Sequence, residues 1–80
     1  MSKSLRTPRQ QRLQELLIQL RKNKRLTQAE VAERLGRPQS FVAKYEGGER
    51  RLDVVEFIEV TEALGGDPCD ILAVLRRTKT

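Results

Sequence analysis

Histidine and tryptophan are absent from this chain, and it contains a single cysteine, one tyrosine and two phenylalanines. Without imidazole the commonest general base is missing, and Cys69, standing between Pro68 and Asp70, has no base obviously paired with it. An enzyme is therefore the least expected class, and Cys69 reads as a structural residue. One thiolate can build neither a zinc site nor an internal disulfide, so no metal or cofactor is expected. No apolar stretch approaches the length of a signal-peptide core or a membrane span, which leads to the expectation of a soluble cytoplasmic protein with no membrane role. The pairs Gly47-Gly48 and Gly65-Gly66 lack the strand-glycine-helix setting of a phosphate loop and read as helix terminators. No segment alternates usefully with the period of a strand.

What is present is a series of helix signals. Eighty residues make one small domain, and 38% apolar content with so few aromatics implies an aliphatic core. Residues 1–6 are polar and basic and are expected to form a disordered arm; the folded domain should span 7–75, and 76–80 a flexible tail. Thr7 with Gln10 forms a capping box, Pro8 occupies a first helical position, and Leu13, Leu16, Leu17 and Leu20 make one stripe, so helix 1 should run from about Pro8 to Asn23. Thr27 and Glu30 start a second helix with Val31, Ala32 and Leu35 inward, and Gly36 ends it. Pro38 pre-sets the first turn of a third helix, closed by Gly47-Gly48. Asp53 and Glu56 open a fourth, with Val54, Phe57, Ile58, Thr61 and Leu64 facing the core. Asp67 and Pro68 open a fifth, carrying Ile71, Leu72 and Leu75. The fold class is all-α: a compact five-helix bundle.

Charge is divided unequally along this series. Residues 1–51 carry 13 Lys and Arg against 5 acids, a balance of +8, whereas residues 52–80 carry 3 against 6, a balance of −3. A basic half alone is compatible with a solvated surface, and Arg21, Lys22, Lys24 and Arg25 also suit the negative end of helix 1. The basic half, however, contains the two short helices joined by Gly36, Arg37 and Pro38. In the third helix Val42 and Tyr45 point one way, with Phe41 beside them, while Gln39, Ser40, Ala43 and Lys44 point the other. Such an outward face suits base edges: glutamine matches adenine, lysine the O6 and N7 acceptors of guanine, and serine is tolerant.

Those residues carry a resemblance. A leucine before Thr27-Gln28, Ala32, Gly36 in the turn, Gln39-Ser40 opening the next helix, and Tyr45-Glu46 with Gly48 closing it are similar to the helix-turn-helix of the lambdoid phage repressor and Cro family, also called the XRE family. The likeness covers roughly residues 13 to 75, with the motif at about 28–47. It implies a lambda-repressor-like fold and binding to double-stranded DNA, with the helix from about Gln39 to Glu46 in the major groove. Gln39, Ser40 and Lys44 would read bases and Phe41 would meet a thymine methyl. Gln28, Arg50 and Arg51 would contact phosphates, and Arg37 in the turn joins that set. The resemblance also implies an ion pair between Arg21 and Glu46. This chain departs from the pattern at Arg37-Pro38, where a capping serine or threonine is usual.

A reading face of three or four residues is small, so a homodimer on two-fold repeats is expected. Leu72, Val74 and Leu75 on helix 5 are the candidate dimer residues, with Val55 and Val60 on helix 4 as additions, although the simpler reading of each is that it completes the core. A transcriptional repressor and an antitoxin that represses its own operon, with a cognate toxin as partner, both remain open. A helical protein-interaction module is the competing class.

Overall fold

The computed structural model describes residues 7–79, so the expected arm at 1–6 and the final Thr80 lie outside the described residues. Five helices follow one another: α1 Pro8–Asn23, α2 Gln28–Leu35, α3 Gln39–Glu46, α4 Val54–Ala63 and α5 Pro68–Arg77. No strand occurs among the described residues. Four starts are fixed by side chains. The Thr7 hydroxyl accepts from the Gln10 N–H at 3.1 Å, reciprocal boxes join Thr27 to Glu30 and Asp53 to Glu56, and the Asp67 carboxylate accepts from the Cys69 N–H at 2.8 Å. Each such cap is worth about 1 kcal/mol. The start of α3 has none: Pro38 is itself the cap residue, extended at φ −63° and ψ 151°, one position before the helical slot expected for it.

The ends of α1, α2 and α4 share one hydrogen-bond pattern. A left-handed residue follows each helix, its N–H bonding three residues back and the next N–H five residues back: Arg25 and Leu26, Gly36 and Arg37, Gly65 and Gly66. This is the Schellman arrangement, which satisfies carbonyls that the helix leaves open. At α2 it turns the chain directly into α3, so that α2 and α3 are joined by three residues.

The core is aliphatic around three buried aromatics, Phe41, Tyr45 and Phe57. Leu17 of α1, Val31 and Ala32 of α2, Val42 and Tyr45 of α3, Phe57, Val60 and Leu64 of α4, and Ile71 of α5 are all buried. The third helix packs chiefly on α2 and α1, α4 packs on α2 and α5, and α5 returns to α1. One side of α3 therefore meets the bundle, which leaves the other open to solvent.

Four expectations are corrected here. Val54 is 73% exposed and Ile58 39%, whereas Val60, offered as an outward dimer residue, is 1% exposed. The inward face of α4 is Phe57, Val60, Thr61 and Leu64; this rotates the expected stripe by part of a turn because Glu56 also faces inward, to partners described below. The buried Thr61 hydroxyl donates to the Phe57 carbonyl at 2.8 Å, so it adds no unpaired group to the core. The fifth helix continues through Arg76 and Arg77, two residues into the expected tail, where the Thr78 N–H and hydroxyl both reach the Val74 carbonyl. Arg9 holds that end from α1, its Nε donating to the carbonyls of Leu75 and Thr78 at 2.8 and 3.1 Å. Cys69, expected to be structural, has an exposed side chain.

Candidate nucleic-acid interface

The two faces of α3 differ sharply. Gln39, Ser40, Ala43 and Lys44 are exposed, while Phe41, Val42, Tyr45 and Glu46 are buried. The helical period alone produces this division, since the exposed set recurs at spacings of one, three and four residues. Gln39 and Ser40 stand in the first turn, and Lys44 one turn later on the same side. The helix thus presents a glutamine amide, a hydroxyl and an ammonium outward from a fixed base.

Glu46 fixes the far end of that helix. Arg21 of α1 donates to it twice, Nε to Oε2 at 2.7 Å and Nη2 to Oε1 at 3.1 Å, and Gln28 of α2 donates Nε2 to Oε1 at 2.9 Å. With side chains only 14% and 6% exposed, Arg21 and Glu46 form a largely desolvated fork, in which the hydrogen bond to Glu46 drives the guanidinium pKa upward. Arg21 also donates Nη1 to the Leu26 carbonyl at 2.9 Å, and Gln14 reaches the Glu46 carbonyl at 3.3 Å. One carboxylate therefore ties α3 to both α1 and α2. Gln28, expected at a phosphate, sits half-buried in this cluster with one amide N–H engaged.

A second carboxylate organises the opposite end. Glu56 accepts from Arg50 at both oxygens, 2.9 Å each, from Arg37 Nη2 at 3.3 Å and from the Asp53 N–H at 3.0 Å. Both guanidinium groups also cover the Phe41 ring, with Cζ 4.4 Å from the centroid for Arg37 and 4.9 Å for Arg50. The hydrogen bond from Arg50, then the one from the Asp53 backbone, hold the Glu56 carboxyl well below its usual range, at about 2. Arg37 is exposed and Arg50 half-buried, while Arg51 is exposed and has no ion pair among the described residues.

Phe41 corrects the thymine-methyl expectation. Its ring is 8% exposed, edge-on to Tyr45 at 5.5 Å and roofed by the two arginines, so it supports the face instead of belonging to it. The sequence signal that could have shown the Glu56 cluster was an acidic residue adjoining Phe57 and one turn before Val60, on the buried side of α4. Read as a capping partner alone, Glu56 gave no hint of Arg37 and Arg50, because their approach depends on the path of two loops.

The dimer candidates do not share one face. Val74 lines an apolar groove of about 230 Å³ between α1 and α5 with Leu16, Leu20 and Ile71. Leu72 and Leu75 lie instead beside Arg9 and Arg76. Leu75 is half-buried against the core, and Leu72 is 49% exposed.

Two short helices joined by a three-residue turn, the second open along one polar side, constitute a helix-turn-helix. The helix-turn-helix domain family matches residues 12–74. An XRE-family like protein from Pseudomonas syringae pv. tomato str. DC3000 is 47% identical, with 94% of this chain and 92% of that one covered and a TM-score of 0.85. The clp gene regulator ClgR from Corynebacterium glutamicum is 24% identical over 85% of this chain and 72% of its own, with a TM-score of 0.75, a likeness of fold. Among curated protein sequences none matches. The chain belongs to the helix-turn-helix family and is of the XRE type.

Proposed function

We propose that this protein is a sequence-specific, double-stranded DNA-binding transcriptional regulator that acts as a repressor, with α3 lying in the major groove. The observation that carries this reading is the exposed Gln39, Ser40, Ala43 and Lys44 face on a helix whose other side is buried and tethered at both ends. Gln39 and Lys44 are the base-reading residues, with Ser40 between them. Arg37, Arg50, Arg51 and Gln28 are the proposed backbone-positioning set. The net charge of +8 over residues 1–51, the stretch that contains α2 and α3, favours a polyanionic partner.

Selection of bound duplexes from a random pool tests the reading and yields the consensus. Against that consensus Gln39→Ala or Lys44→Ala should each cost about 1 to 3 kcal/mol, with much less effect on random duplex. Equal losses on both duplexes would remove the base-reading role.

A further inference from the structure

The Glu56 cluster contains two cations and one anion, and its geometry distributes the anion unevenly. Arg50 meets the carboxylate as a two-pronged fork at 2.9 Å on each oxygen, while Arg37 makes one longer contact of 3.3 Å. The Glu56 side chain is 10% exposed and those of the arginines 38% and 39%, so the anion lies beneath the cations on the Phe41 side. Pulling Arg50 away to meet a phosphate would leave a poorly solvated carboxylate short of two donors, which is strongly unfavourable. Arg50 therefore stays on Glu56 and meets a phosphate, if at all, as one half of a neutral pair. Binding of duplex DNA by neutralisation draws on the release of condensed counterions, which scales with the number of phosphates neutralised and not with the number of arginines nearby.

We infer that Glu56 is a charge-offsetting residue of the phosphate-facing surface, cancelling Arg50 so that the corner formed by Arg37, Arg50 and the capping Asp53 presents one positive charge fewer to DNA and limits sequence-independent affinity. The inference rests on the DNA-binding reading above and goes beyond it. It separates three arginines that the sequence groups together: Arg51 acts as a charge, Arg37 nearly so, and Arg50 as a fixed hydrogen-bonding support. It also places the restraint on a residue of α4, outside the helix-turn-helix. Glu56→Gln keeps the side-chain shape and an acceptor for the Asp53 N–H, so it removes the charge with little change in the cap.

The experiment measures the affinity of the full chain for random duplex at several salt concentrations, after thermal melting has shown each variant to be folded. Glu56→Gln should steepen the salt slope by about one unit and strengthen random-duplex binding roughly five- to tenfold near ~0.1 M salt. The ratio of preferred to random affinity should hold within about twofold, because the Gln39 to Lys44 face is untouched. Glu59→Gln, one turn on in α4 and exposed, makes the same change in net charge and should move the slope by less than about half as much. The double variant Arg50→Gln with Glu56→Gln removes a neutral pair and should retain the slope of the unsubstituted protein. An unchanged or flatter slope in Glu56→Gln would overturn the inference, as would a loss of one unit in the double variant. The double variant decides the matter by itself should Glu56→Gln melt below the assay temperature. A protein without salt-dependent duplex binding at the outset would instead sink the DNA-binding reading, a result distinct from either.

Discussion

Arg21 and Glu46 are distant in sequence and inseparable in the fold. Glu46 is buried at the last turn of α3 and takes three donated hydrogen bonds, two from Arg21 and one from Gln28. Taking the arginine away leaves a buried carboxylate with one side-chain donor, and the dominant cost is that stranded charge, not the lost attraction. Arg21→Ala should accordingly lower stability by about 3 to 5 kcal/mol, and Gln28→Ala by about 1 to 2 kcal/mol, as read by denaturant unfolding. The joint replacement of Arg21 and Glu46 by methionine should lie much nearer the unsubstituted protein, since no uncompensated charge remains. A larger loss for Gln28→Ala than for Arg21→Ala would show that the amide, not the ion pair, holds α3 in place.

Among the elements, the helix ends differ in one informative respect. Glycine fills the left-handed position after α2 and α4, at φ 67° and 78°, but after α1 the position is Arg25, at φ 57°. An L side chain there crowds the backbone, and glycine does not. Arg25→Gly should therefore stabilise the fold by about 0.5 to 1 kcal/mol after the added freedom of the unfolded chain is subtracted; a fall in melting temperature would contradict this account of α1. The same contrast explains what could be read from the sequence. The starts at Thr27, Asp53 and Asp67 were legible because a cap is a local side-chain contact. The division of α3 into outward Gln39, Ser40, Ala43 and Lys44 and inward Val42 and Tyr45 was legible because it follows from period alone. The face of α4 was not: Val54 and Ile58 match an amphipathic stripe as well as Val60 does, and the choice is made by Glu56 turning toward arginines from two loops. Phe41 was misplaced for a related reason, since the cations that cover its ring come from outside its own helix.

At the scale of the molecule, positive charge gathers on the half that carries α2 and α3, and the other half, at −3, carries α4 and α5. A homodimer, expected from so small a reading face, would keep the exposed side of α3 free if it formed through exposed apolar residues of α4 and α5. Of the apolar residues on that half, Val54 and Val55 of α4 and Leu72 of α5 are the exposed ones with least to do in the monomer. Leu72→Asp or Val55→Asp should weaken self-association in sedimentation measurements while changing stability by less than about 0.5 kcal/mol. The selected DNA should show two half-sites about 10 base pairs apart; a single undivided site bound by one chain would remove the dimer. No helix among the described residues is long and apolar enough to cross a membrane.

Tyr45 adds a practical consequence. It is the chain's one tyrosine, and no tryptophan accompanies it. Its ring lies on the buried side of α3 at 2% exposure, where burial, and then the neighbouring Glu46, push the phenol's pKa upward. Tyrosine absorbance and emission therefore report on the buried side of α3, since the two phenylalanines absorb only weakly and at shorter wavelength. In an alkaline titration the phenolate band should rise only once α3 is released from the bundle, a delay that absorbance measurements on the unlabelled protein check.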